Sequence, residues 1–255
     1  MKAAIILAAA GLAAAVPARQ WAQRATSALV PRSRGSKQTV PNIRLGRNET
    51  SNVQYSSNWA GAVSIGTGYN HVIGTITVPE VSGEDGAAAS AWVGIDGDTC
   101  QTAILQTGIS FYADGTYDAW YEWIPDYAHS FSNFAVSAGD QIQMSVDASS
   151  TTKGVATLSN LSTGKKVTHT FTGTPSTLCE TNAEWIVEAF QEGGSQVELA
   201  DFGKVTFTGA SASGRSGTTT PAKSQILDIS PDNGRTVLTS CSAGSSTVTC
   251  SYVGN

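Results

Sequence analysis

Gln141 to Ala148 reads QIQMSVDA, and its strict alternation decides the fold. Ile142, Met144, Val146 and Ala148 fall on one face; Gln141, Gln143, Ser145 and Asp147 fall on the other. That is the two-residue period of a half-buried strand, not the 3.6-residue period of a helix. Comparable short runs recur from about residue 52 onward. Turn-forming pieces such as GTG, SGEDG, DGD, ADGT, SAGD, STGKK and PDNG separate them. The spacing predicts about a dozen to fourteen strands, no amphipathic helix of three turns, and one all-β domain. The architecture it fits is an antiparallel double-sheet sandwich, or jelly roll. Residues 208–224, TGASASGRSGTTTPAKS, read as a long, mobile Gly/Ser/Thr loop.

The N-terminal fifth differs in kind. Residues 1–18 have the three parts of a secretory signal: Lys2, the apolar AAIILAAAGLAAA, and VPA with small residues at a cleavage spacing. The apolar run is too short to span a bilayer and no basic stop-transfer segment follows. No later stretch is apolar enough to be a span, so no membrane partner is expected. Residues 1–50 hold eight of the 15 Lys and Arg but only Glu49 among the acids, leaving seven basic and 19 acidic residues after them. Residues 19–52 therefore read as a removable basic pro-segment ahead of an acidic domain, 53–255. A cationic segment would dock on that domain as its intramolecular inhibitor and let go as the carboxylates protonate.

The acidic domain implies more. Once its carboxylates are neutral it keeps only seven basic residues, three histidines and an amino terminus, so self-repulsion in acid is small. The composition suits a protein secreted into an acidic medium and excludes nucleic acid as a partner. Cys100, Cys179, Cys241 and Cys250 fit two disulfides in an oxidising compartment. Cys241 and Cys250 flank SAGSSTVT, so pairing them closes a hairpin and leaves Cys100 with Cys179. No Cys/His spacing suggests a metal, no cofactor motif is present, and a monomer is expected. NET at Asn48 and NLS at Asn160 are glycosylation sequons.

The strand period also sorts the chemistry. In AWVGID, Ala91, Val93 and Ile95 form the apolar face, with Trp92, Gly94 and Asp96 opposite. Gln106 opposes Leu105 and Phe111, while Asp118, Trp120 and Glu122 share a face. In NAEWIVEAF, Trp185, Val187 and Ala189 face the core and Glu184, Ile186 and Glu188 face away. Four strands thus present carboxylates, an amide and indoles on their second face, a mixture suited either to a groove or to a second packed layer. Indole walls bind extended peptide or sugar chains and lower the local dielectric. A glutamate held there can act as general base, its pKa raised from ~4.3 by desolvation. A glutamine offers an oxyanion donor that never titrates. Glu184 reads as a solvated or paired neighbour.

Other catalytic sets are thin. There is no GxSxG, no HExxH and no Asp-Thr/Ser-Gly pair. His71 and His129 lie beside no nucleophile, and His169, alternating with Val167 and Phe171, reads as structural. The alternatives that remain are a carbohydrate-active jelly roll using Glu122 and Glu188, and a lectin-like module stacking sugars on the tryptophans.

SSNWAGAV (Ser56–Val63), AWVGIDGDTCQTAILQTG (Ala91–Gly108), GTYDAWYEWIPD (Gly115–Asp126) and NAEWIVEAF (Asn182–Phe190) resemble the glutamic peptidases, or eqolisins, over nearly all of Tyr55–Tyr252. The resemblance implies a lectin-like sandwich and a secreted, pepstatin-insensitive acid endopeptidase acting on polypeptides. It implies a catalytic dyad of Gln106 and Glu188, expected to meet on adjacent strands around one water. Trp92, Asp96, Trp120 and Glu122 are implied around the dyad, with Trp59 and Trp123 near the groove. The same likeness implies the pairs Cys100–Cys179 and Cys241–Cys250. QEGGSQVELADF lacks the cysteines of a third bridge found in some members.

Overall fold

The computed structural model describes residues 36–44 and 53–254. The signal 1–18, the rest of the basic segment, its expected end near residue 52, and Asn48 lie outside them. Fourteen principal strands make up the domain. They are β1 (Val53–Ser56), β2 (Trp59–Ile65), β3 (Tyr69–Thr77), β4 (Ala88–Ile95), β5 (Ile104–Tyr112), β6 (Tyr117–Ile124) and β7 (Gln141–Ser150). Then come β8 (Lys153–Asn160), β9 (Lys165–Thr172), β10 (Asn182–Glu188), β11 (Lys204–Gly214), β12 (Gln225–Ile229), β13 (Thr239–Ala243) and β14 (Thr247–Tyr252). Two- and three-residue strands supplement them, and the one helical element described is a 3₁₀ turn at Pro221–Lys223.

One sheet has the order β9-β8-β7-β3-β11-β14-β13 and the other β1-β12-β2-β10-β4-β5-β6. They pack face to face around a single large apolar cluster. QIQMSVDA lies on β7, where Ile142, Met144, Val146 and Ala148 are buried in that cluster as the alternation requires. From the other sheet come Ala91, Val93 and Ile95 of β4, Leu105 and Phe111 of β5, and Trp185 and Val187 of β10. The sandwich is all-β, as expected, with one departure: β1 and β12 pair in parallel. These strands are far apart in sequence, so no hairpin turn forces them antiparallel.

A second departure is residues 208–224. They do not form a long loop. Thr208–Gly214 completes β11 and folds back on Gly217–Thr219 through a two-residue turn. Ala210 and Ala212 are buried in the core, and that packing overrides a Gly/Ser/Ala composition with little strand preference of its own. The disulfides Cys100–Cys179 and Cys241–Cys250 are both formed. The Asn160 side chain is buried, with Nδ2 donating to Asp140 Oδ2 at 2.8 Å.

Candidate active site

The second sheet turns its other face away from the core, and strand register sets what that face holds. One row runs Trp59, Glu188, Ser90, Ser110, Asp118; the next runs Gly61, Ile186, Trp92, Gly108, Trp120. The third runs Val63, Glu184, Gly94, Gln106, Glu122. The glycines make room for the indoles. A Cβ on Gly94 would come within 2.9 Å of the Trp92 ring, and one on Gly108 would clash with Trp92 Cβ and the Ala91 carbonyl. Trp59 and Trp92 meet edge to face with ring centroids 4.8 Å apart, joining Trp120, Ile104 and Ile186 in a second apolar cluster.

Glu188 and Gln106 are not on adjacent strands, because β4 runs between β10 and β5. Trp92, Glu122 and a stretch of the N-terminal segment link them through hydrogen bonds. Trp92 Nε1 donates to Glu188 Oε2 at 3.0 Å, and Gln106 Nε2 donates to Glu122 Oε2 at 2.9 Å. Across these two groups lies Ser36–Arg44. Its Gln38 N–H donates to Glu122 Oε2 at 3.3 Å, and its Thr39 N–H donates to Glu188 Oε1 at 2.9 Å. Consecutive Cα atoms are about 3.8 Å apart. Glu188 and the Gln106–Glu122 pair therefore take two successive backbone N–H groups, those on either side of the Gln38 Cα.

The segment is anchored along its length. Ser36–Lys37 pairs with Gln191–Glu192, and Ser36 accepts from the Ala128 N–H at 3.3 Å. Thr39 Oγ1 donates to Glu188 Oε1 at 3.1 Å, and the Thr39 carbonyl accepts from Trp59 Nε1 at 2.7 Å. Asn58 Nδ2 reaches Thr39 Oγ1 at 2.9 Å and Glu188 Oε1 at 3.4 Å. Val40 packs on the indole cluster. The face is thus a groove whose second layer is the chain's own segment.

Burial dominates the electrostatics. Both Glu122 and Glu188 are fully buried. Desolvation raises the Glu188 carboxyl to about 8, although the Thr39, Trp92 and Asn58 donors all act to lower it. Desolvation also raises Glu122 well above the ordinary range, with Glu188 adding to the effect. Glu122 Oε1, Gln106 Oε1 and Trp120 Nε1 are buried without a hydrogen-bond partner among the described residues. These polar atoms line a place that a polar ligand or water would complete.

The remaining expected residues divide. Trp59, Trp92, Trp120 and Glu122 lie on the groove face with the dyad. Trp123 does not. The two-residue period turns it to the core side of β6, where it packs on Phe171 and donates from Nε1 to Ser176 Oγ. Asp96 ends β4 at φ 68°, and its two oxygens accept the N–H groups of Cys179, Glu180, Thr181 and Asn182 at 2.7–3.2 Å. Together with the Cys100–Cys179 bridge it fixes the entry to β10, so it positions Glu188 and does not face the groove. Glu184 is neither solvated nor paired. It is fully buried, both oxygens lack a hydrogen-bond partner among the described residues, and desolvation with Asp96 and Asp98 raises it well above the usual range. Asn58, Ser90, Gln38 and Thr39 were not singled out from sequence. Asn58 precedes its strand, where the period carries no signal. His169 stacks on Tyr121 with centroids 3.8 Å apart, and no hydrogen bond described among the groove residues involves a histidine.

Residues 57–252 match the model of the Peptidase A4 family. Over 230 residues the chain is 52% identical to aspergillopepsin-2 of Aspergillus niger, covering 81% of each. It is 49% identical over 205 residues to scytalidopepsin B of Scytalidium lignicola, covering 77% of this chain and 78% of the relative. The crystal structure of scytalido-glutamic peptidase with a transition-state analog inhibitor superposes with a TM-score of 0.74 at 48% identity, over 77% of this chain and 98% of that one. Aspergilloglutamic peptidase from Aspergillus niger superposes with a TM-score of 0.63 at 55% identity, over 66% of this chain and 99% of its own.

Proposed function

This chain belongs to the peptidase A4 family of glutamic endopeptidases, and from that premise we propose that Glu188 and Gln106 carry the hydrolysis of peptide bonds in it. The chain is a peptidase that acts on polypeptides, which sets aside the carbohydrate-active alternative. The observation supporting the dyad is the pair of successive N–H groups, of Gln38 and Thr39, taken by the Glu122 and Glu188 carboxyls, with Gln106 bonded to the first of these. In a productive complex, ionised Glu188 takes a proton from water, and the hydroxide attacks the scissile carbonyl carbon. Gln106 has given one Nε2–H to Glu122, which orients the amide; its second N–H serves the developing oxyanion. Glu188 then passes its proton to the amine nitrogen as the C–N bond breaks. Water is consumed and the base is restored.

Residues 19–52 act, in this reading, as an inhibitory pro-segment of a secreted, monomeric zymogen whose domain begins near residue 53. Thr39 donates to Glu188 Oε1 from both its N–H and its hydroxyl, which supports this reading because the base would receive the attacking water there. The disulfides fit an oxidising, extracellular setting. Digestion of an acid-denatured protein at about pH 3 with pepstatin present is expected to yield peptides. Gln106→Ala is expected to lower that rate by about 10²–10³. Undiminished cleavage by Gln106→Ala would remove the amide from the mechanism.

A further inference from the structure

The Gln38 side chain enters a site that the hydrolysis does not use. Gln38 is fully buried, and its Oε1 accepts the Ser90 hydroxyl at 2.8 Å. Its Nε2 is buried without a partner, and so is the hydroxyl of Ser110, the residue opposite Ser90 on the same face. The row Glu188, Ser90, Ser110, Asp118 is therefore a polar floor beside the dyad, with a free donor and a free hydroxyl left over it.

We propose that the floor formed by Ser90 and Ser110 is a substrate subsite selective for a neutral side chain that both accepts and donates hydrogen bonds: glutamine at any pH, and glutamate only when protonated. This rests on the reading above, in which Ser36–Arg44 lies where substrate lies. An apolar side chain of equal length would take the acceptor from the Ser90 hydroxyl and leave it buried and unpaired, as the Ser110 hydroxyl already is among the described residues, which is costly. A carboxylate would lose its hydration among acidic groups from each neighbouring element that carries titratable residues. β10 supplies Glu188, β6 supplies Glu122 and Asp118, and Gln191–Glu192 supplies Glu192, while β4 and β5 offer hydroxyls, the Trp92 indole N–H and the Gln106 amide. Lys37 belongs to the segment itself, with its ammonium 5.8 Å from the centroid of the Tyr127 ring. A protonated glutamate differs: its carbonyl accepts and its hydroxyl donates, as the glutamine amide does. In acid the two side chains become interchangeable here.

The probe is the peptide SKQTVPNIR, residues 36–44, with glutamate or methionine at the glutamine position as comparisons, against the secreted, acid-processed protein. Inhibition of initial rates is read at pH 3 and binding by calorimetry at pH 6. The glutamate peptide is expected to match the glutamine peptide at pH 3 and to bind at least about tenfold more weakly at pH 6. The methionine peptide is expected to be about tenfold weaker at both. In Ser90→Ala the glutamine-to-methionine ratio should fall towards one; a ratio unchanged in that variant would overturn the proposal. Three peptides that bind alike would leave the groove reading standing and remove the subsite. Three that fail to bind would remove the groove reading, and the subsite with it.

Discussion

Glu188 is held between opposed influences: burial pushes its carboxyl up, and the hydrogen-bond donors pull it down. Were the segment removed as proposed, Thr39 would leave with it, and much of the burial would go as water returned to the groove. The base would then be kept ionised by Trp92 and Asn58 alone. Trp92→Phe removes the indole N–H from Oε2 but retains an aromatic ring. The charged form loses a donor, so the pKa rises and the low-pH limb of kcat/KM moves to higher pH, by about one unit. A pH–rate profile of the processed enzyme reads it; a limb that stays in place would mean that the indole does not tune the base. At this scale the two-residue period located Gln106, Glu122, Trp92, Trp120 and Glu188 on one face. It also places Trp123 on the other, since Trp123 adjoins Glu122 on β6; the likeness drew it to the groove. Asp96 looked like a groove residue because alternation put it opposite Ile95, but its turn out of β4 spends both oxygens on backbone N–H groups.

At the scale of elements, the segment Ser36–Arg44 behaves differently from the basic lure suggested by charge. Its contacts with the groove are mainly backbone and short polar side chains, specific to the carboxyls beneath. Covering the groove raises the Glu188 pKa from near the ordinary ~4.5 of a hydrated carboxyl towards the value of about 8 held under the segment. More protons are then bound in the covered state than in the open one. Between those limits, lowering the pH favours covering, so protonation of Glu188 and Glu122 does not drive release. Calorimetry of SKQTVPNIR binding at pH 6, in buffers of different ionisation enthalpy, should show net proton uptake; proton release would contradict the assignment. A basic run is visible from charge alone. That Gln38–Val40 cross the groove is not visible, because no periodicity marks an extended strap. The strand at Thr208–Gly214 was hidden for a related reason, its Ser, Thr and Gly content resembling a loop.

For the molecule as a whole, buried carboxyls set the pH range of the fold. Glu122, Glu184 and Glu188 are all raised by desolvation, while Asp118 is pushed to about 6 and Asp228 to about 7. A carboxyl whose folded pKa exceeds its unfolded value stabilises the fold fully below the unfolded value, near 4. That stability is lost as pH rises towards the folded pKa, at up to about 1.4 kcal/mol per group per pH unit. Thermal stability should therefore be greatest in acid and fall steeply between pH 4 and 8. Glu184→Gln, which removes one buried acid with no partner, should raise Tm at pH 6–7 and change it little at pH 3; a loss at pH 6–7 would mean that Glu184 is paired. The sandwich, its core and both disulfides were legible because alternation and hairpin spacing are local. The parallel pairing of β1 with β12 was not, being set by strands that no turn connects. The account rests on one carboxyl acting as base beside one amide. Cleavage of denatured protein at pH 3 by Glu188→Gln, with folding checked by circular dichroism, tests this most directly. A folded variant whose rate has fallen by about 10²–10⁴ is predicted; a folded variant that cleaves at the wild-type rate would contradict it.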